Sequence, residues 1–362
     1  MSGRPQFFAY IHSVVNIIFA LDLPNLENDL KRLEIALKES VTTDDPFLAE
    51  VARHLIDAGG KRLRPALAVA SSLIGREDGS IDPVSLGQDE LREFFKSDND
   101  VITGSVAVEL VHLASLYHDD VMDEALTRRN VESVNARWGN LVAIVAGDFL
   151  LARSAEIAAS LGSEIAGLLA ASLGRLCGGQ VSEVNAAFST NRTLDTYYRA
   201  IAGKTASLMA TACHIGALTG GVNRELIPKL VAYGEALGMA FQIRDDILDI
   251  AGESKTLGKV AGQDLVEGIY TLPVLLTLEN PRFGDELLSM LGKPLDEHDR
   301  DRARKLVTST DAIANSVEIG QSFARKAASQ IGEFSNTLVG QGLTRFALQL
   351  MDDAKELIPS KV

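Results

Sequence analysis

The chain has 362 residues, longer than most single domains, so length alone allows one domain or two. Apolar residues make up 46%, enough for a sizeable core, and a net charge of −14 argues against a nucleic-acid backbone as the main partner. Only 10 prolines, set among abundant Ala and Leu, favour helices over sheet. The two cysteines, Cys177 and Cys213, each sit in an apolar helix-like run with no CxxC spacing, which reads as buried thiols in a reducing compartment.

Residues 7–23 are apolar but interrupted by His12, Ser13, Asn16 and Asp22, too short and too polar for a membrane span. They read as a helix packed on the body or on a partner, in preference to a membrane-surface anchor. Residues 25–40 place Leu26, Leu30, Leu33 and Leu37 at helical spacing. Next, Gly59-Gly60-Lys61-Arg62-Leu63-Arg64-Pro65 sets three cations at the start of an apolar helix over 66–74. Cations beside free helix N–H groups suit an anion, although an ordinary basic turn has the same composition. Residues 76–103 are polar and acidic, and read as a surface insertion carrying a short helix near 89–96.

A helix over roughly 105–124 follows, ending in Asp119-Asp120-Val121-Met122-Asp123. Residues four apart share a helical face, so Asp119 stands over Asp123, and His112 lies two turns below on the same stripe. Two carboxylates so placed repel. Asp245-Asp246-Ile247-Leu248-Asp249 repeats the spacing at the end of a helix over 229–250 that also carries Gln242. One Asp-rich helix end is ordinarily a solvated face; two, each after a long apolar run, point to a hard divalent cation such as Mg²⁺ held by oxygen ligands. Arg128-Arg129 follows the first motif, where it can bind phosphate bidentately or neutralise the acids. Residues 140–178 and 194–219 read as long apolar helices, the second interrupted by Lys204-Thr205. A lysine in a buried bundle needs a charged partner. A glycine-punctuated loop over 252–268 carries Lys255, Lys259 and Asp264, Leu272-Pro273 opens the next helix, and 296–309, 311–334 and 340–357 close the chain as amphipathic helices.

Acid clusters flanked by cations suit a diphosphate bridged through Mg²⁺ to carboxylates, with Arg and Lys on the remaining oxygens, and the apolar helices around them suit a hydrocarbon tail. The pattern resembles the trans-isoprenyl diphosphate synthases (the polyprenyl synthetase family) from about residue 24 to the C-terminus. The resemblance rests on Gly60-Lys61-Arg62-x-Arg64-Pro65, Asp119-Asp120-x-x-Asp123 with Arg128-Arg129, Lys204-Thr205, Phe241-Gln242-x-x-Asp245-Asp246-x-x-Asp249, Gly258-Lys259 and Asp264-Leu265. It implies an all-α isoprenoid-synthase helical bundle around a deep central cavity. Residues 1–24 would be an N-terminal extension, and 25–362 one domain with the insertion near 76–103.

By the same resemblance the chain is a long-chain polyprenyl diphosphate synthase, normally a homodimer, cytoplasmic, with peripheral membrane contact for product release. Asp119, Asp123 and Asp245 are implied Mg²⁺ ligands, three ions per site once substrate is bound, supported by Asp120, Asp246 and Asp249. Lys61, Arg64, His112 and Arg129 are implied on the isopentenyl diphosphate side, and Arg62 as a further substrate-binding residue. Arg128, Lys204, Thr205, Gln242 and Lys259 are implied on the allylic side. Where many members carry Gly-Lys, this chain has Gly268-Ile269-Tyr270-Thr271-Leu272-Pro273, without the lysine.

The tail of a growing product would run along the Asp119 helix, where each turn covers about 5.4 Å, close to one prenyl unit. Ala114 and Ser115, the family's chain-length positions, are small, which implies a long product of hexaprenyl to decaprenyl size. Two rivals share much of this pattern. A terpene cyclase needs no isopentenyl site, against which Lys61, Arg64, His112 and Arg129 count. A non-catalytic partner subunit has no need of both Asp motifs, though the missing lysine at Ile269 favours it.

Overall fold

The computed structural model describes residues 17–77, 83–252 and 260–358. Helix dominates, as expected from composition. In chain order the first elements are α1 (Ile17–Leu21), α2 (Leu26–Ser40), α3 (Pro46–Asp57), α4 (Leu63–Leu73), α5 (Gln88–Phe94) and α6 (Asn99–Met122). After a hairpin of β1 (Thr127–Arg128) and β2 (Val131–Glu132) come α7 (Val134–Trp138), α8 (Asn140–Ser160), α9 (Ser163–Asn185), α10 (Leu194–Ile201), α11 (Ser207–Thr219) and α12 (Ile227–Ala251). The rest comprises α13 (Gln263–Val266), α14 (Leu272–Leu278), α15 (Gly284–Met290), α16 (Glu297–Thr308), α17 (Ala312–Gln330), α18 (Leu338–Gln349) and α19 (Asp352–Glu356).

Two helices organise the packing. α6 lies against α2, α4, α8 and α11, while α12 lies against α11, α14 and α17. Both are apolar nearly all round, the mark of a helix enclosed by others rather than one lying on a surface. α6 is long and apolar enough to cross a membrane, but 72% of its apolar window is buried within the bundle. One large cluster built on α2–α6 and α11–α12 forms the main core, and a second is built from α12, α14 and the C-terminal helices.

Several expectations shift in detail. The helix expected over 105–124 begins at Asn99, because the acidic run ends at the extended residue Asp98 and apolar residues resume at Val101. The insertion is correspondingly shorter, and part of it, 78–82, lies outside the described residues. Its C-terminal end is tied to the body: buried Asp29 accepts from Ser97 N–H at 3.0 Å, and Arg32 donates to Ser97 O at 2.7 Å. The run 140–178 is not one helix; it breaks at Leu161-Gly162, where Gly162 adopts φ 114°, a conformation that L side chains resist. Cys213 is buried and its thiol is pushed up to about 12, first by burial, but Cys177 is exposed on α9, contrary to the expectation of two buried thiols. Of residues 7–23, the described part packs on the C-terminal helix α18, with Arg345 Nε donating to Ala20 O at 2.7 Å.

Candidate active site

The first acidic motif closes α6. Asp123 caps the helix, its N–H donating to Asp119 O at 2.8 Å. Asp119 is half-buried and its carboxyl is pushed up to about 6, first by burial and then by the neighbouring charges of Asp123 and Glu183, against Lys204 and Arg128. Asp120 is fully buried and its pKa is likewise raised by burial, although Arg128 Nε and Nη2 both reach its Oδ1, at 2.7 and 2.5 Å. Asp120 Oδ2 is buried with no partner.

The hairpin explains how two adjacent arginines serve different places. Arg129 (φ 53°) and Asn130 (φ 63°) form a two-residue turn with both residues left-handed, the form that matches strand twist. It sends Arg128 back to Asp120 and Arg129 to the α3–α4 loop, where Nη1 donates to Leu55 O at 2.9 Å and to Gly59 O.

The second motif closes α12. Asp245 accepts from the buried Arg244 Nη1 at 2.8 Å, and Arg244 in turn binds Asp353 on α19. Asp246 is buried, accepting from Tyr197 Oη at 2.6 Å and Gln242 Nε2 at 2.8 Å. Burial pushes its carboxyl up to about 7 against the pull of both hydrogen bonds. Buried Asp249 pins the following loop through Asp264 N–H at 3.3 Å and Gly262 N–H at 2.8 Å.

Lys204 and Thr205 sit on a π-helical turn, Ala202–Ala206, between α10 and α11. Such a bulge re-aims side chains within a helix and is frequent at functional sites. It presses on α9 so closely that a Cβ on Gly179 would lie 2.5 Å from Lys204 N. Lys204 pairs with Glu183 of α9. Burial opposes its charge, but Glu183, Asp119 and Asp123 together raise its pKa. Thr205 Oγ1 donates to Gln242 Oε1 at 2.7 Å. One residue of each motif, Asp123 and Asp246, lines a cavity of about 110 Å³ together with Glu183, Lys204, Gln242 and Asp264; Asp119 and Asp245 are not among its lining residues. Hard oxygen donors, an orphaned buried carboxylate oxygen and three raised carboxyls fit a divalent cation of the Mg²⁺ kind.

The basic group gathers on the α3–α4 loop. His112, on α6, has its pKa well below the usual value through burial and the charges of Arg64, Arg129, Arg62 and Arg128, so it is neutral. Lys61 is lowered by burial, with Asp245 of the second motif opposing. Arg64 is lowered chiefly by burial, and its Nε is buried without a partner. Arg62 departs from its expected role as a substrate contact. It is only 5% exposed, with Nη1 on Glu109 at 3.0 Å and Nε and Nη2 on Glu34, so it braces the loop from within. Ala114 is fully buried in the core, and Ser115 is half-buried, its Oγ donating to His112 O at 2.8 Å. Lys259 and Lys255 lie outside the described residues.

Sequence reasoning missed Glu183, Tyr197, Arg192 and Arg244. Glu183 carried a signal only in part: a lysine predicted to be buried demanded a carboxylate, but Glu183, in the last turn of α9, lies beyond the helix expected over 140–178. Tyr197 and Arg192 approach the motifs only in three dimensions, and Arg244, next to Asp245 in sequence, gains its second partner Asp353 only in the fold.

The model of the polyprenyl synthetase family matches residues 45–310. Heptaprenyl diphosphate synthase component 2 of Geobacillus stearothermophilus is 35% identical over 303 residues, 83% of this chain and 88% of that one. Nonaprenyl diphosphate synthase of Mycobacterium tuberculosis is 34% identical over 302 residues, 83% of this chain and 85% of that one. Among solved structures, the polyprenyl synthase of Caulobacter crescentus, complexed with calcium and isoprenyl diphosphate, superposes with a TM-score of 0.80 at 30% identity, covering 92% of this chain and 97% of that one. The chain belongs to the polyprenyl synthetase family.

Proposed function

We propose that the protein is a trans-prenyltransferase that condenses isopentenyl diphosphate with an allylic diphosphate to make a long-chain all-trans polyprenyl diphosphate. The observation that carries this reading is the meeting of Asp123 of the first motif, Asp246 of the second and Lys204 on one cavity, with a separate basic group beside Asp245. Two diphosphates need two such places. In this reading Lys61, Arg64, Arg129 and neutral His112 hold isopentenyl diphosphate, while Lys204, Thr205, Gln242, Arg128 and Lys259 hold the allylic diphosphate. Asp119, Asp123 and Asp245 would hold Mg²⁺, which would supply positive charge to neutralise the departing diphosphate. Asp120, Asp246 and Asp249 hold the two helix ends in register. Lys204 adds charge on the leaving oxygens as the carbon–oxygen bond breaks. The isopentenyl double bond then attacks the allylic carbon, and the proton lost afterwards passes to the diphosphate.

The small residues Ala114 and Ser115 support a long product, as do the heptaprenyl and nonaprenyl names of the relatives. A homodimer is supported by the outer face of α8 and α9. Leu141, Val145, Val181 and Val184 are there between 52% and 75% exposed, among alanines and glycines that permit close helix packing. A polyprenyl product partitions into lipid, so the reading sets the protein in the cytoplasm with peripheral contact to a membrane. A second reading, that the chain requires a different subunit for activity, is favoured by the name "component 2" that two relatives carry.

The test is incubation of the purified chain with Mg²⁺, labelled isopentenyl diphosphate and farnesyl or geranylgeranyl diphosphate, the products being sized by chromatography. A ladder ending in a long chain is expected. Incorporation only after adding a second protein would select the heteromeric reading, and none under any condition would sink the synthase reading.

A further inference from the structure

Arg192 lies between α9 and α10 and lines the same cavity as Asp123 of the first Asp motif and Asp246 of the second. Its side chain is buried, with the residue only 8% exposed. Nη1 donates to Tyr270 O at 3.1 Å, and the guanidinium carbon lies 5.6 Å from the centroid of the Tyr197 ring. Nε and Nη2 are both buried and have no hydrogen-bond partner.

These two orphaned donors occupy the same edge of the guanidinium plane. Their N–H bonds run parallel, the arrangement that meets two oxygens of one phosphate or carboxylate. A buried cation with a whole edge left unsatisfied is costly, and such an edge is ordinarily closed by a partner. Five carboxylates line the same cavity, yet none accepts from this edge. The other described lysine or arginine on that wall, Lys204, is already paired with Glu183. Ile269, which also lines it, brings no charge.

We propose that Arg192 is a diphosphate ligand of the allylic site, its Nε–Nη2 edge taking two oxygens of the substrate's diphosphate. The inference rests on the prenyltransferase reading of the cavity and adds a residue to it. Nη1 and the Tyr197 ring hold the guanidinium in place before substrate arrives, so the edge is presented with little ordering cost. Arg192 thereby supplies, from the α9–α10 connection, the positive charge that Ile269 does not supply from its own wall.

The experiment compares wild type with Arg192→Gln, Arg192→Lys and the double variant Arg192→Gln/Ile269→Lys. Two quantities are read: KM for each substrate, and binding of inorganic diphosphate with Mg²⁺ by calorimetry. Arg192→Gln is expected to weaken diphosphate binding and raise the allylic KM about tenfold or more, with KM for isopentenyl diphosphate unchanged. Arg192→Lys keeps the charge but loses the fork, so it should recover only part of the affinity. Lysine at 269, next to the Tyr270 carbonyl that Arg192 binds, should recover part of it in the double variant.

Unchanged diphosphate binding in Arg192→Lys, or in Arg192→Gln that melts like wild type, would overturn the proposal and leave Arg192 a structural brace. Should Arg192→Gln not fold, Arg192→Lys decides alone. A wild-type protein that binds diphosphate but makes no prenyl product would instead overturn the prenyltransferase reading.

Discussion

The phenol of Tyr197 on α10 donates a 2.6 Å hydrogen bond to Oδ2 of Asp246 on α12, joining two helices across the wall of the cavity. Gln242 Nε2 reaches the other oxygen of the same carboxylate at 2.8 Å, and Thr205 Oγ1 donates to Gln242 Oε1 at 2.7 Å. The amide is thereby oriented with its carbonyl toward the π-helical turn and its NH₂ toward the acid. Tyr197→Phe keeps the ring and removes one of these donors. A hydrogen bond to a charged group contributes about 1.5–3 kcal/mol, so kcat/KM for the allylic substrate is expected to fall roughly tenfold or more. KM for isopentenyl diphosphate should not move. Steady-state kinetics with each substrate varied in turn checks this, and an equal loss on both would make Tyr197 a brace of the whole fold.

Lys204 and Glu183 can be separated by a double-mutant cycle. Lys204→Ala leaves the Glu183 carboxylate, 11% exposed, without its countercharge, and breaking a largely buried pair costs on the order of 2–4 kcal/mol. Glu183→Gln added to Lys204→Ala should restore most of that stability, because a neutral amide tolerates burial better. It should not restore activity, since the cation that faces the leaving diphosphate is still missing. Urea unfolding read beside kcat tests both halves. Recovery of turnover in the double variant would remove Lys204 from the chemistry.

The raised carboxyls of Asp119, to about 6, and Asp246, to about 7, make the metal-free protein's stability depend on pH. Both hold a proton more tightly folded than unfolded, where the ordinary carboxylate value is near 3.8. Their contribution is fully present below that unfolded value and is lost as pH rises through about 6 to 7. The metal-free protein is therefore expected to melt several degrees lower at pH 8 than at pH 5.5. Mg²⁺ with inorganic diphosphate should raise the melting point more at pH 8 than at pH 5.5, because a cation competes with protons for the same oxygens. Melting curves in chelator and in Mg²⁺ with diphosphate, across this range, are the measurement. A melting point that rises with pH in chelator would contradict the assigned protonation.

The two Asp motifs, the basic turn and Lys204 were legible in sequence because each is a local pattern: i, i+4 carboxylates on a helix end, or a charge breaking an apolar run. What stayed hidden is geometry between segments. Arg128 and Arg129 read as one pair, yet a two-residue turn with both φ positive sends one to Asp120 and the other to Gly59. Arg62 looked like its neighbours Lys61 and Arg64 but turns inward to Glu34 and Glu109, residues far away in the chain. Arg192 and Tyr197 follow a helix end with no motif of their own, and acquire meaning only where α10 meets α12 and the loop around Tyr270. The break at Gly162 was equally silent, since both flanking helices carry glycines in their interiors without breaking.

Product length can be tested at two neighbouring positions that the structure treats differently. Ser115 shares a helical face with Asp119 and is half-buried, so a larger side chain there projects along the path a growing tail would take. Ala114 is completely buried in the core of the bundle. Ser115→Phe is expected to shorten the product by several prenyl units while leaving the melting point within a few degrees of wild type. Ala114→Phe forces an aromatic ring into packed core and should cost about 1–3 kcal/mol of stability or more. Chromatographic sizing of products beside thermal melts distinguishes the two. A full-length product from a well-folded Ser115→Phe variant would show that the tail leaves the metals along some other face, and a shortened product from a stable Ala114→Phe variant would move the tail's path to the Ala114 side of α6.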